Sequence, residues 1–133
     1  MVGARDPIGG LVRGTPVSIA EKLTLRAVAA VLTEEDIGAA LVERIDGSLG
    51  IISERDVTRA LADDADPDLV WSADIMTEDL VTARASEPVM GVALRLIDEG
   101  IRHVAVVDDN SLVGIVSSRD VFRVLAEDLL ETW

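Results

Sequence analysis

Residues 114–125 read GIVSSRDVFRVL and residues 50–61 read GIISERDVTRAL, with eight of twelve positions identical at a spacing of 64. The same shift superposes Val17, Val28, Ala29, Leu32, Glu35, Ile37 and Val42 on identical residues without a gap. The chain is a tandem repeat. A period this long in only two copies fits paired halves sharing one core better than an open solenoid, which needs three or more units. The halves run 1–66, with the N-terminal segment, and 67–133, with the C-terminal helix, and together form one module.

Each half reads alike. A short apolar stretch, PVSI at 16–19 or LVTA at 80–83, predicts a strand, and a helix-period segment follows at 23–32 or 88–97. In the second, Val89, Val92, Ala93, Leu96 and Ile97 recur at three- and four-residue spacings. Ser86 is placed to cap this helix, Pro88 lies in its first turn and Gly100 stops it. Two apolar runs a turn apart then predict a hairpin, around Asp46-Gly47 with a favoured two-residue turn in the first half and around DDNS in the second. Ser-x-x-Asp and an amphipathic helix complete each half, at 54–61 and 118–130. The unit is strand, helix, strand, strand, helix, and the fold class is α+β (α/β). Between the halves, DDADPDLVWSADIM reads as an acidic, solvated linker with a short apolar approach to the second half. Its Asp63, Asp64, Asp66 and Asp68 lack the glycine and terminal glutamate of a calcium loop.

Composition excludes several classes. Apolar residues make up 49% of the 133-residue chain and aromatics only 2%, a stock suited to helices packed closely on buried strands. Twelve basic against twenty-five acidic residues give a formal charge of −13, which repels a phosphate backbone, so no nucleic acid partner is expected. The N-terminus lacks the apolar core of a signal peptide. No run approaches the roughly 20 apolar residues that span a bilayer, so no membrane association is expected and the protein reads as cytoplasmic. Without cysteine there is no disulfide, thiolate metal site or cysteine nucleophile. No Walker loop, dinucleotide glycine fingerprint, nucleophile elbow or zinc spacing occurs, so neither an enzyme nor a required cofactor or metal is expected.

The repeated Ser-x-x-Asp has two readings. Ser53 and Ser117 follow a strand and precede a helix, where serine caps well and an acid three residues on completes a near capping box. Capping does not explain why Arg55 and Arg119 precede the aspartates, or why Gly50 and Gly114 open both stretches. A helix N-terminus offers free N–H groups to phosphate, serine adds a hydroxyl donor and arginine a charge-assisted one. An aspartate one turn on accepts from two adjacent hydroxyls, so the set suits a nucleotide ribose phosphate.

The tandem G-I-[IV]-S-x-R-D stretches, IMTEDLVTA and EGIRHVAVVDDNSLVGIVSSRDV together resemble paired cystathionine β-synthase (CBS) domains of the stand-alone bacterial type, from about Val12 to Leu125. The first hairpin, DIGAALVERIDGS, departs from the family pattern. The resemblance implies two βαββα units packed through their sheets about a pseudo-twofold axis, in a module that commonly dimerises. It also implies a regulatory, energy-sensing role, in which adenosine-containing ligands such as AMP, ADP, ATP, NADH or S-adenosylmethionine bind in the clefts between the units. By the family pattern one site uses Ser53, Arg55 and Asp56 with Met76, Val81, Ile101 and Arg102. The other uses Ser117, Arg119 and Asp120 with Val12, Val17, Ile37 and Gly38. The aspartates then hold the ribose, the serines the phosphate and the apolar residues the adenine. Gly38 and Ala39 occupy the positions equivalent to Arg102 and His103, so the Arg55/Arg102 site is expected to bind phosphorylated ligands more tightly.

His103, the sole histidine, reads as a strand-start residue with a structural or exposed role, or alternatively as a ligand contact, rather than as a general base. Trp71 and Trp133 suit packing over a core edge or a subunit contact, and the tail AEDLLETW reads either as an extension of the last helix into a dimer or partner contact or as a solvated helix end with one buried face. The expected function is a sensor that reports occupancy to an unidentified regulated protein and works as a homodimer. The alternative is a ligand-free CBS module for dimerisation or partner docking.

Overall fold

The computed structural model of the chain describes residues 2–131. These form two compact units. One is contiguous, Val17–Leu80. The other is composite, joining the residues up to Pro16 to those from Val81 onward. Trp133 lies outside the described residues.

The contiguous unit runs β1 (Ser18–Ala20), α1 (Leu25–Glu34), β2 (Ala39–Glu43), β3 (Leu49–Ser53), α2 (Glu54–Ala62) and the short α3 (Ser72–Ile75). The composite unit begins with a 3-10 turn, Ile8–Leu11, and resumes with β4 (Thr82–Arg84), α4 (Val89–Glu99), β5 (His103–Asp108), β6 (Ser111–Ser117) and α5 (Ser118–Glu131). The strand, helix, strand, strand, helix order is thus present twice. In each sheet the first strand pairs parallel with the second and the second antiparallel with the third.

Alternation and helical periodicity place the core. Val28 and Leu32 of α1 meet Val42 and Ile52 of the sheet, while Val92 and Leu96 of α4 meet Val104, Val106 and Val116. Each such side chain, fully buried, stabilises by about 1.5–3 kcal/mol.

Each unit is completed by the segment that precedes the other repeat. In the contiguous unit Ser72 N–H donates to Leu23 O at 2.7 Å and Ala73 N–H to Glu21 O at 3.0 Å. In the composite unit the residues 64 positions away repeat this: Ile8 N–H donates to Glu87 O at 2.7 Å and Gly9 N–H to Ala85 O at 3.0 Å. The region read as a solvated linker is structured, because Val70 O and Pro67 O accept from Leu25 N–H and Arg26 N–H and so satisfy orphan donors at the start of α1.

Three local expectations are corrected. Ser86 does not cap α4. Pro88 is the N-cap, and the amides of Val89 and Met90 donate to Asp6 O and Ala4 O. Asp46-Gly47 does not form a two-residue turn, because Asp46 folds its carboxylate back onto Ser48 N–H (2.9 Å) and Ser48 Oγ (2.6 Å), and five residues separate β2 from β3. These bonds hold the Asp46 carboxyl below its usual range. The two-residue turn occurs in the second hairpin, where Asp109 and Asn110 both take positive φ, as a type I′ turn requires.

The composite unit carries a brace that its counterpart lacks. Glu87 accepts from Arg84 N–H at 2.6 Å and pairs with Arg95, which also donates to Thr82 O at 2.6 Å. Burial pushes the Glu87 carboxyl up, but the Arg84 N–H and the Arg95 guanidinium outweigh it and hold the carboxyl below the usual glutamate range. The equivalent residues in the contiguous unit are Leu23 and Val31.

Candidate functional site

Both Ser-x-x-Asp stretches turn from a strand directly into a helix. In the contiguous unit Ser53 ends β3 and caps α2. Its Oγ accepts from Asp56 N–H at 3.2 Å, while Asp56 Oδ2 accepts from Ser53 N–H at 2.9 Å. In the composite unit Ser117 Oγ accepts from Asp120 N–H at 3.1 Å and Asp120 Oδ2 from Ser117 N–H at 3.3 Å. The reciprocal pair satisfies two orphan donors, and the carboxylate sits where the helix dipole favours negative charge. Each carboxylate spends Oδ2 on the cap. Among the described residues neither Oδ1 has a hydrogen-bond partner.

The neighbouring strand brings further predicted residues to each helix start. Glu54 N–H donates to Gly38 O at 2.9 Å, and Ala39 lies opposite Ser53 in the ladder, so Ile37 and Gly38 border Ser53, Arg55 and Asp56. Ser118 N–H donates to Arg102 O at 2.7 Å, and His103 lies opposite Ser117, so Ile101 and Arg102 border Ser117, Arg119 and Asp120. Val17 O and Val81 O accept from Leu41 N–H and Ala105 N–H at the head of the parallel strand pairs. It is therefore Ser117, not Ser53, that shares a unit and a backbone hydrogen bond with Arg102. Arg55, Arg102 and Arg119 are exposed, while the serines and aspartates are half-buried.

The glycines that open the stretches are sites of close approach. A Cβ on Gly50 would stand 2.6 Å from Met76 Sδ and 3.0 Å from Thr77 O, and one on Gly114 would overlap Val12 Cγ1. Val12 and Met76 are themselves equivalent in the repeat, 64 residues apart. Each thus packs on the stretch of the unit it completes. Among the described residues no cluster of His, Asp or Glu is arranged to hold a metal, and no helix is long and apolar enough to cross a membrane.

Comparison with known proteins agrees with this architecture. The CBS domain family matches residues 8–63 and 72–127, and the chain belongs to that family as a tandem pair of CBS domains. An uncharacterized protein of Methanopyrus kandleri is 34% identical over 92% of this chain, and one of Methanocaldococcus jannaschii 30% identical over 96%. The chain spans 60% and 46% of the length of these two relatives. A CBS domain protein of Pyrobaculum aerophilum complexed with AMP superposes with a TM-score of 0.79 at 32% identity, covering 94% of this chain and 96% of that one. A CBS domain pair in complex with 5′-methylthioadenosine and S-adenosyl-L-methionine superposes with a TM-score of 0.76 at 30% identity, covering 90% and 94%.

Proposed function

We propose that the chain is a regulatory module, without chemistry of its own, that binds an adenosine-containing ligand at its Ser-x-x-Asp helix starts and works as a homodimer. The observation carrying this reading is the spare Oδ1 of Asp56 and Asp120, each beside a helix N-terminus and an exposed arginine. That set offers a carboxylate acceptor for ribose hydroxyls and N–H and guanidinium donors for phosphate. The AMP complex of a relative similar over nearly the whole chain supports it, as does the relative holding S-adenosyl-L-methionine and 5′-methylthioadenosine. Ser53 and Ser117 would meet phosphate, and Val12, Val17, Ile37, Met76, Val81 and Ile101 would offer apolar surface to adenine. The geometry favours grouping Arg102 with Arg119 as the richer cationic site, leaving Arg55 with Gly38 as the poorer one.

A second reading rests on the capping boxes, whose reciprocal bonds account for the Ser-x-x-Asp spacing without any ligand. A thermal-shift series at low salt separates the two, using AMP, ADP, ATP, NADH, S-adenosylmethionine and 5′-methylthioadenosine with GTP as control. Ligand at a hundred times its dissociation constant adds about 2.7 kcal/mol, a midpoint shift of roughly 10 °C for a chain of this size. A shift confined to adenosine compounds supports the sensor. No shift with any of them leaves a dimerisation or docking module.

A further inference from the structure

The two Ser-x-x-Asp helix starts share a backbone but not a charge. At three equivalent positions beside them the repeats differ, each time in the same direction: Asp36, Gly38 and Glu54 of the contiguous unit stand where the composite unit has Gly100, Arg102 and Ser118. Glu54 and Ser118 open α2 and α5, and their amides donate to the carbonyls of Gly38 and Arg102. Asp36 and Gly100 lie two residues before those carbonyls, both at positive φ (53° and 64°). Glycine takes that conformation without steric cost, so the backbone gives no reason for an aspartate at 36. Asp36, Glu54 and Arg102 are exposed. With Arg55 and Asp56 the contiguous start sums to a formal charge of −2, and with Arg119 and Asp120 the composite start sums to +1. The leading segments carry the same bias, since Arg13 follows the Val12 that packs on Gly114, whereas Thr77 follows the Met76 that packs on Gly50.

We propose that the two helix starts sort adenosine ligands by charge: the composite start takes an adenosine that carries a phosphate, and the contiguous start takes one whose 5′ substituent carries none. The proposal rests on the adenosine-binding reading above and names the ligand class at each start. A phosphate brings about −1.5 to −2 charges near neutral pH. At the composite start Arg102 and Arg119 can both answer it, whereas at the contiguous start Asp36 and Glu54 oppose it and Arg55 alone compensates. Both starts offer ribose the same aspartate acceptor, so attraction to the nucleoside cannot discriminate between them. The repulsive pair Asp36 and Glu54 supplies the discrimination. The wider field acts the same way. Residues 17–80 hold fifteen acidic and five basic residues, a formal charge of −10, and the rest of the chain holds ten and seven, a charge of −3. Salt weakens the attraction at one start and relieves the repulsion at the other, so the preference of phosphate for the composite start narrows as salt rises, while an uncharged ligand is unaffected.

The test is titration calorimetry of the full chain at low salt with AMP and with 5′-methylthioadenosine. One AMP is expected per chain, and the AMP-loaded chain is expected to take up one 5′-methylthioadenosine without releasing AMP. Asp36→Gly/Glu54→Ser and Ser118→Glu each install the residue of the other repeat, so the same backbone already accommodates them at the equivalent place, and thermal melting checks their folding. The first variant is expected to tighten AMP at the contiguous start at least about 10-fold, so that a second AMP binds. The second is expected to weaken AMP at the composite start about 10-fold and to leave 5′-methylthioadenosine unchanged. Two equal AMP sites in the wild type, release of AMP from the loaded chain by 5′-methylthioadenosine, or unaltered AMP binding in both variants overturns the sorting while sparing adenosine binding. AMP binding without any uptake of 5′-methylthioadenosine overturns the assignment of the contiguous start. Neither heat nor a thermal shift with either ligand overturns the adenosine reading itself.

Discussion

Gly114 and Val12 stand 102 residues apart in sequence yet touch so closely that the Cβ of any other residue at 114 would overlap Val12 Cγ1 and lie 3.4 Å from Val12 Cβ. Valine is stiff at χ1 and has no easy way to retreat. Gly114→Ala is therefore expected to destabilise by about 1–3 kcal/mol, the usual cost of overpacking. Val12→Ala in the same chain should restore part of it, a non-additivity read from thermal melts of the two single variants and the double. Gly50→Ala should cost less, since the atom it meets first is the mobile Sδ of Met76, although Thr77 O still limits relaxation.

Replacing Asp56 and Asp120 by Asn separates capping from binding. Asparagine Oδ1 can still accept from the serine N–H, so only the dipole term of about 0.3–1 kcal/mol is lost at each helix. Affinity for adenosine compounds should fall at least about 10-fold, because with its one oxygen on the cap the side chain turns an amide N–H donor toward the ribose hydroxyls in place of the spare carboxylate oxygen. Titration calorimetry reads the second effect and thermal melting the first. Unchanged affinity would favour the capping-only reading.

Arg102 lies beside Ser117 through the Ser118 N–H bond to its carbonyl. Arg102→Ala should weaken a phosphorylated ligand such as AMP about 10-fold at low salt. Affinity for 5′-methylthioadenosine, which has no phosphate, should stay nearly constant. An equal loss for both ligands would mean that Arg102 acts on the fold rather than on the phosphate.

The Glu87 brace predicts a pH dependence. Its carboxyl is held below the ordinary glutamate value of about 4.3, so its stabilisation is present above that value and is lost as pH falls through the lowered one. Glu87→Gln should melt lower than the wild type at pH 7 by about 1 kcal/mol, discounted for the partial exposure of Arg95. The gap should close on the acid side. A gap independent of pH would show that the ion pair contributes nothing beyond packing.

Much of this could be read from the chain alone, and what could not has a common cause. Strand order, helix positions and both serine caps follow from local spacing, because period and capping are properties of consecutive residues. The partners of Gly50 and Gly114 are not local: Met76 and Val12 arrive from segments that precede the other repeat. The same holds at α4, where Ser86 looked like the cap and the backbone of Ala4 and Asp6 took its place. Asp46-Gly47 misled for the opposite reason, since a carboxylate two residues from its own donors outcompeted the turn that the dipeptide favours.

The exchange of leading segments makes the two repeats unequal as pieces of covalent chain. One CBS unit is a single uninterrupted stretch, Val17–Leu80, nested inside the other, whose two parts are held apart in sequence by that insertion. A fragment spanning 17–80 carries the whole of its unit. No cut can release the composite unit without carrying its neighbour along, and cleavage between residues 66 and 67, at the visible seam of the repeat, would leave both units unfinished. Closing the composite unit across an unfolded insert of 64 residues would cost loop entropy of about 4 kcal/mol, so the nested unit is the one positioned to fold first.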